Sequence, residues 1–400
     1  MILSVAFPEP RFAKPTGRYS VGTRIYHWVD AARPEAFTPD RNDRRELIAQ
    51  VWYPADANTD ATAPYIGSRE TLAAIATQFH IPAFLLGNLN SAPTHATTDA
   101  KAAHGRFPLL INPTGFLGFR NASLFWIEEL VSHGYVVIGL DQPGTAAATT
   151  FPDGRVVRAM HPKAAFDRYM PLALARSPTQ APVLNGITLP GGVIPFLAED
   201  IRFALRQADR LNREDKVLAG RIDTGRAGVY GLSLGGYSGA EACRIEPRLR
   251  ACLVADSGQT AAVARNGLDQ PVLIMSRDPR VMREERAAAG GWPEDEIAHT
   301  VGDERALYER SRGDAYYLTL NGMYHVNWTD APVWSPLIRW MGLAGPIDPY
   351  RGFAATNAYS VAFFDRYLKG RASPLLEGPS DKWREVRIER RSGSRNGPPM

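Results

Sequence analysis

Ala227-Gly228-Val229-Tyr230-Gly231-Leu232-Ser233-Leu234-Gly235-Gly236 is the stretch that decides the fold. An apolar run ends in G-x-S-x-G, and Ser238 to Cys243 continues as a helix. A strand that turns sharply into a helix lifts a serine hydroxyl clear of a sheet, and glycine two positions either side removes the Cβ atoms that would clash there. The helix then starts at the serine, so its positive end faces charge developing on a bound carbonyl. A phosphate-binding loop would instead carry Lys-Ser/Thr after the last glycine, where Tyr237-Ser238 stands. Ser233 is therefore the candidate nucleophile.

Working outward, short apolar runs alternate with helical patterns. Strands are expected at Phe107 to Asn112, Tyr135 to Leu140, Ala227 to Gly231, Cys252 to Ala255, Val272 to Met275 and Tyr317 to Leu320. Helices are expected at Leu124 to Val131, Glu199 to Leu211 and Phe353 to Leu368. Such alternation predicts a mostly parallel sheet with helices on both faces. Before it, Arg24 to Val29 and Glu46 to Trp52 suggest an antiparallel hairpin at a sheet edge. With G-x-S-x-G at a strand–helix turn, this is the pattern of the α/β-hydrolase fold, read as one domain over 1–400. Two stretches break the alternation: 155–196, rich in Pro, Gly and Ala, and 279–312, highly charged. Both follow a strand and are read as cap or lid insertions over its carboxyl end. The basic stretch Arg384 to Arg395, within a tail at 379–400, reads as solvated chain or an edge strand.

The 400 residues allow a sizeable core, at 44% hydrophobic and 22% charged, and the net charge of +4 gives no reason to expect nucleic acid or an anionic membrane. Cys243 and Cys252 form no disulfide framework or metal spacing and read as core residues. Met1 to Phe7 is too short for a signal-peptide core and lacks a basic flank. No apolar run is long enough for a bilayer, so a soluble chain, cytoplasmic or secreted, is expected. No metal or cofactor is implied.

A serine nucleophile needs a base, oriented by an acid, in the chain order Ser, Asp, His. Only His299 and His325 follow Ser233; His325 lies just past the last core strand in Asn321-Gly322-Met323-Tyr324-His325, whereas His299 sits in the charged stretch. His325 is the candidate base. For the acid, position alone leans to Asp278, after the strand Val272 to Met275, over Asp256, while Asp269, Asp303 and Asp330 read as surface groups. The oxyanion donors are expected from the N–H of Leu234, next to the nucleophile, and of Phe116, in the loop Pro113-Thr114-Gly115-Phe116. Phe119, Met323, Tyr324 and Trp328 are candidates for lining a pocket or packing beneath a lid. This machinery points to cleavage of carboxylic esters. An amidase, lactonase or polyester hydrolase would use the same groups, and an acyltransferase or a non-catalytic binding protein are the rivals outside hydrolysis.

The chain resembles the platelet-activating-factor acetylhydrolases, intracellular and secreted, and their bacterial relatives. The resemblance runs through Val29-Asp30, Arg33-Pro34-Glu35, Arg45-Glu46-Leu47 and Val51 to Ala55. It continues with Phe119-Arg120, Ser132 to Tyr135, Asp200, Ile222-Asp223, Gly231 to Gly236, His325 and Tyr359 to Asp365. It covers most of the chain outside the two insertions and the tail. It implies a Ser–Asp–His esterase, an acid directly after the strand that follows the nucleophile helix, a preference for short acyl chains, no metal and a place in lipid degradation. In this sequence that acid position is Asp256, which becomes the chosen acid with Asp278 as the alternative. Leu232 stands where the family commonly has His, and Thr114-Gly115 where it has His-Gly. These departures alter the pocket wall and bear on a phospholipid substrate more than on ester hydrolysis.

Overall fold

The structure is a computed structural model that describes residues 8–56, 62–79, 81–159 and 181–393. Its centre is an 11-stranded sheet. In chain order the strands are β1 (Ser20–Pro34), β2 (Arg44–Ala55), β3 (Thr62–Pro64), β4 (Pro93–Thr98), β5 (Phe107–Pro113) and β6 (Val136–Asp141), then β7 (Ile222–Leu232), β8 (Leu249–Ala255), β9 (Val272–Ser276), β10 (Ala315–Leu320) and β11 (Val386–Arg391). Across the sheet they lie β11-β10-β9-β8-β7-β5-β6-β2-β1-β4-β3. The run from β10 to β6 is parallel, as the alternation predicts. The longer helices are α1 (Arg69–Gln78), α2 (Leu124–Ser132), α3 (Val193–Glu214), α4 (Leu234–Ile245), α5 (Pro279–Ala289), α6 (Glu294–Arg310) and α7 (Pro349–Lys369).

The central strands bury both faces, which is why their sequences are continuous apolar runs. Side chains alternate between two cores. Tyr230, Leu253, Leu273 and Met275 join the core that holds Trp126 of α2 and Phe363 and Phe364 of α7. Val229, Cys252, Val254 and Ile274 join the other, with Ile201 of α3, Ala240 of α4 and Leu307 of α6. Cys243 and Cys252 are buried and free.

The chain crosses from β5 to β6 on one side, then returns through α3 to β7 on the other side of β5. That reversal opens a crevice at the carboxyl ends of β5 and β7, the place where open parallel sheets bind ligands. Register then sets the neighbours: Leu232 of β7 pairs Ala255 of β8, and Ala255 pairs Met275 of β9. The residues that follow these three strands therefore emerge side by side.

The hairpin β1–β2 forms, but it is not the sheet edge; β4 pairs parallel to β1, and β3 lies beyond it. Arg45 of β2 is fully buried and ties the hairpin to α3, with Nη2 2.7 Å from Asp200 Oδ2 and Nη1 2.9 Å from Glu35 Oε2. Arg33 Nη2 reaches the other Asp200 oxygen at 2.6 Å. Buried charges persist only when paired and hydrogen-bonded in this way.

Of 155–196, residues 160–180 lie outside the described residues. The remainder forms small hairpins, and α3 begins at Val193, earlier than the helical spacing suggests. The charged stretch 279–312 is two helices with different roles. Helix α6 packs on β9 and β10 as the crossover between them, through a narrow buried stripe of Ile297, Thr300, Asp303, Glu304 and Leu307. Asp303, expected at the surface, is buried and accepts Gln259 N–H at 3.3 Å. Of the tail 379–400, Val386–Arg391 is edge strand β11, antiparallel to β10, and 394–400 lie outside the described residues. Among the described residues no single helix is long and apolar enough to cross a membrane.

Candidate active site

Ser233 stands between β7 and α4 with φ 56° and ψ −126°. A positive φ is strained for a residue with a Cβ and persists only where surroundings impose it. Here they do. A Cβ on Gly231 would lie 2.4 Å from the Gly235 carbonyl, and one on Gly235 2.3 Å from Pro113 O. Five non-glycine residues have positive φ among the described residues, and Leu117, Ser233 and Asp256 of these five cluster here. Backbone strain is thus concentrated at the crevice.

The loop after β5 lies against the turn. A Cβ on Gly115 would sit 3.3 Å from Leu232 O and 3.8 Å from Ser233 Cβ. Leu117 N–H is committed to Thr145 O at 2.9 Å, and Gly118 N–H to Gly115 O at 3.0 Å. Leu234 opens α4, where backbone N–H groups have no partner within the helix. Over this corner, Leu184, Leu189, Val193, Ile194 and Leu197 pack with Leu234, and Phe116 and Tyr237 join them. Residues from the described part of 155–196 and from the helix that follows it thus pack against the side chains of Phe116 and Leu234, whose N–H groups are the expected oxyanion donors.

His325 follows β10 and, with Ser233, lines one cavity of about 260 Å³. Its loop is fixed from several sides. Asn327 is buried, and its Oδ1 accepts from Tyr324 and Gly345 N–H at 2.9 and 2.8 Å. Asp330, expected at the surface, is fully buried instead and accepts the Leu124 and Phe125 N–H groups at the start of α2, at 2.6 and 3.2 Å, and the Tyr65 hydroxyl at 3.0 Å. An acid there meets the positive end of the helix, so it belongs inside.

His325 Nδ1 is hydrogen-bonded to Asp256 Oδ2. Asp278 is placed elsewhere: it caps α5, accepting from Arg280 N–H at 2.8 Å. Arg277, beside it in sequence, turns inward and is 1% exposed, with Nε 2.7 Å from the same Asp256 Oδ2. The approach is an ion pair and not an aligned hydrogen bond. Arg277 Nη1 pairs with Glu285 Oε2, and Glu285 Oε1 accepts from His325 N–H at 3.3 Å. Trp292 contacts both residues, its ring 4.8 Å from the Arg277 guanidinium and 5.1 Å from the His325 ring. Burial alone would raise the Asp256 carboxyl, but Arg277 and His325 outweigh it and hold it below the ordinary carboxylate range.

Behind Asp256 sits a second acid, Glu304 of α6, fully buried. Burial and the nearby Asp256 carboxylate push it up from 4.5 to about 8. It accepts from Ser257 N–H at 3.2 Å, Tyr317 OH at 3.0 Å and Ser276 Oγ. The folded chain thus retains a proton here that the unfolded chain releases, so stability falls as pH rises from about 4.5 to about 8 and this contribution is flat above. Urea unfolding across that window is expected to show the fall in the parent. Glu304→Gln, which mimics the protonated acid, is expected to show a shallower slope; an unchanged slope would mean that Glu304 folds ionised.

The cavity wall is mainly apolar, with Phe79, Phe116, Phe119, Trp126 and Trp334 as its aromatic members and Arg120 and Glu285 as its charged ones. Of the residues expected to line a pocket, Phe119 does so. Met323, Tyr324 and Trp328 are buried outside the lining; Met323 and Trp328 belong to the core below. His299 lies on α6. Arg277, Glu285 and Trp292 were not anticipated from the sequence. The available signal was the position of Arg277 directly after a core strand, beside an acid already under consideration. Among the described residues no cluster of His, Cys, Asp or Glu is arranged to hold a metal ion.

Neither a protein-family model nor a curated protein matches the chain. Among solved structures it is similar to a ferulic acid esterase from Streptomyces cinnamoneus, at 28% identity and a TM-score of 0.73, over 95% of this chain and 99% of that one. The mostly parallel sheet with helices around it is the α/β-hydrolase architecture, and this structural neighbour is an esterase.

Proposed function

We propose that the chain is a serine carboxylic ester hydrolase in which Ser233 is the nucleophile, His325 the base and Asp256 the acid. One observation carries this reading: a serine held at positive φ on a strand–helix turn shares a cavity with a histidine whose Nδ1 is bonded to a buried carboxylate. His325 takes the Ser233 proton as Oγ attacks the ester carbonyl. The Phe116 and Leu234 N–H groups receive the oxyanion. His325 passes its proton to the leaving alcohol, then activates the water that releases the acid. Asp256 orients the imidazole and stabilises its charged form without taking the proton. The site is capped by the described residues of 155–196 and by the segment 279–292.

The cavity, at about 260 Å³, is smaller than the ~300–1,000 Å³ common for drug-sized ligands. It suits a short acyl chain, in line with the acetylhydrolase resemblance, or a single aromatic ring. The aromatic wall and the similarity to a ferulic acid esterase favour the ring. The test is turnover of p-nitrophenyl esters of increasing acyl length beside a methyl hydroxycinnamate, with fluorophosphonate labelling mapped to its residue. Labelling at Ser233 with ester turnover supports the proposal, and the profile sizes the pocket. Labelling without ester turnover redirects it to an amide, lactone or polymer. Neither labelling nor turnover overturns it in favour of a binding protein.

A further inference from the structure

We infer that Arg277 and Glu285 are a counterbalanced pair of positioning residues: Arg277 holds the Asp256 carboxylate and offsets its charge, and Glu285 offsets Arg277. The inference rests on the esterase reading of this site. Its basis is geometric. Arg277 and His325 meet the same oxygen of Asp256, so the carboxylate that stabilises an imidazolium is shared with a permanent cation. That cation is 1% exposed and lies too deep for water to screen it. Its second partner, Glu285, also accepts the backbone N–H of His325 and lines the cavity. Trp292 closes the arrangement by contacting both the guanidinium and the imidazole. The start of the charged stretch 279–312 is thereby joined to the base and its acid, and is more than a cover above them.

The other charged groups around His325 come from two sides. Glu296 of α6 faces it, with His299 beside Glu296. Glu304, also of α6, faces Asp256 from behind. Across the cavity Arg120 is paired with Asp141 at 2.5 Å. Against that background the pair makes a signed forecast. Removing Arg277's charge favours the protonated base, and removing Glu285's charge disfavours it.

The experiment is the pH profile of kcat/KM for the full chain and for Arg277→Gln, Glu285→Gln and the double variant, with thermal unfolding to confirm folding. The acidic limb is expected to move up by about one pH unit in Arg277→Gln and down by about one in Glu285→Gln, and to return near the parent in the double variant. KM is expected to stay within about twofold while kcat falls about 10- to 100-fold in Arg277→Gln, since orientation of the base acts in the transition state. If Arg277→Gln does not fold, the downward shift in Glu285→Gln carries the test alone. Limbs that stay fixed, or move the same way, in folded variants overturn the inference while leaving the esterase reading intact. A parent that neither turns over esters nor labels at Ser233 overturns both.

Discussion

Ser233→Ala is expected to lower kcat toward a p-nitrophenyl ester by about 10⁶-fold, the scale on which a serine hydrolase loses activity when its nucleophile goes. What remains is the catalysis that oxyanion donors and binding give to direct attack by water, roughly 10³–10⁴ over the uncatalysed rate. The fold is expected to survive. The unusual backbone at 233 is enforced by the close contacts of Gly231 and Gly235 with their neighbours, not by the hydroxyl. The side chain is half-buried and outside the main cores, so the stability change should stay within about 0.5 kcal/mol. The informative measurement is therefore kcat in a variant whose unfolding midpoint matches the parent. A variant that keeps a tenth of parental activity would place the nucleophile elsewhere.

The strand–helix turn at Ser233 was legible because it sits where two local signals meet: a buried apolar strand end, Ala227–Gly231, and glycines that only a tight turn requires. The same continuity exposed the strands Phe107–Pro113, Val136–Asp141, Leu249–Ala255, Val272–Ser276 and Ala315–Leu320. Strand Pro93–Thr98 gave no such signal. It extends the sheet past the hairpin with Pro-Thr-His-Ala-Thr-Thr, and a strand near an edge needs little apolar sequence. Helix α6 was hidden for a related reason, since a helix covering the outer part of a sheet can bury one thin stripe and leave the rest charged. Asp330 and Arg277 show the limit more sharply. Each is a charged residue whose burial becomes reasonable only once the partner is known, a helix start for one and two carboxylates for the other. Pairing between segments distant in sequence is not written in local composition.

Asp256→Asn against Asp278→Ala is the second large contrast, and it separates the two acids that position in the sequence left open. Asp256→Asn is expected to cost about 10⁴-fold in kcat, because an amide in place of the carboxylate no longer fixes the imidazole tautomer that can accept the serine proton. Part of the loss has a further origin here. Arg277 keeps its ion pair with Glu285, so a buried guanidinium is left to pull on the residue that also holds the His325 backbone. Breaking one side of a buried ion pair costs several kcal/mol, roughly 3–5, so Asp256→Asn is expected to unfold earlier as well as to turn over more slowly. Asp278→Ala should do neither to that degree. It removes one cap bond to Arg280 N–H at the exposed start of α5, about 1 kcal/mol of stability, and leaves the bond from His325 to Asp256 untouched. Its kcat should stay within about twofold of the parent. The reverse ranking, with Asp278→Ala the slower variant, would mean that the loop after β9 rearranges in the working enzyme and delivers its own carboxylate to His325; the ion pair of Arg277 with Asp256 would then have to break in every turnover, and its charge would oppose the base instead of being balanced beside it.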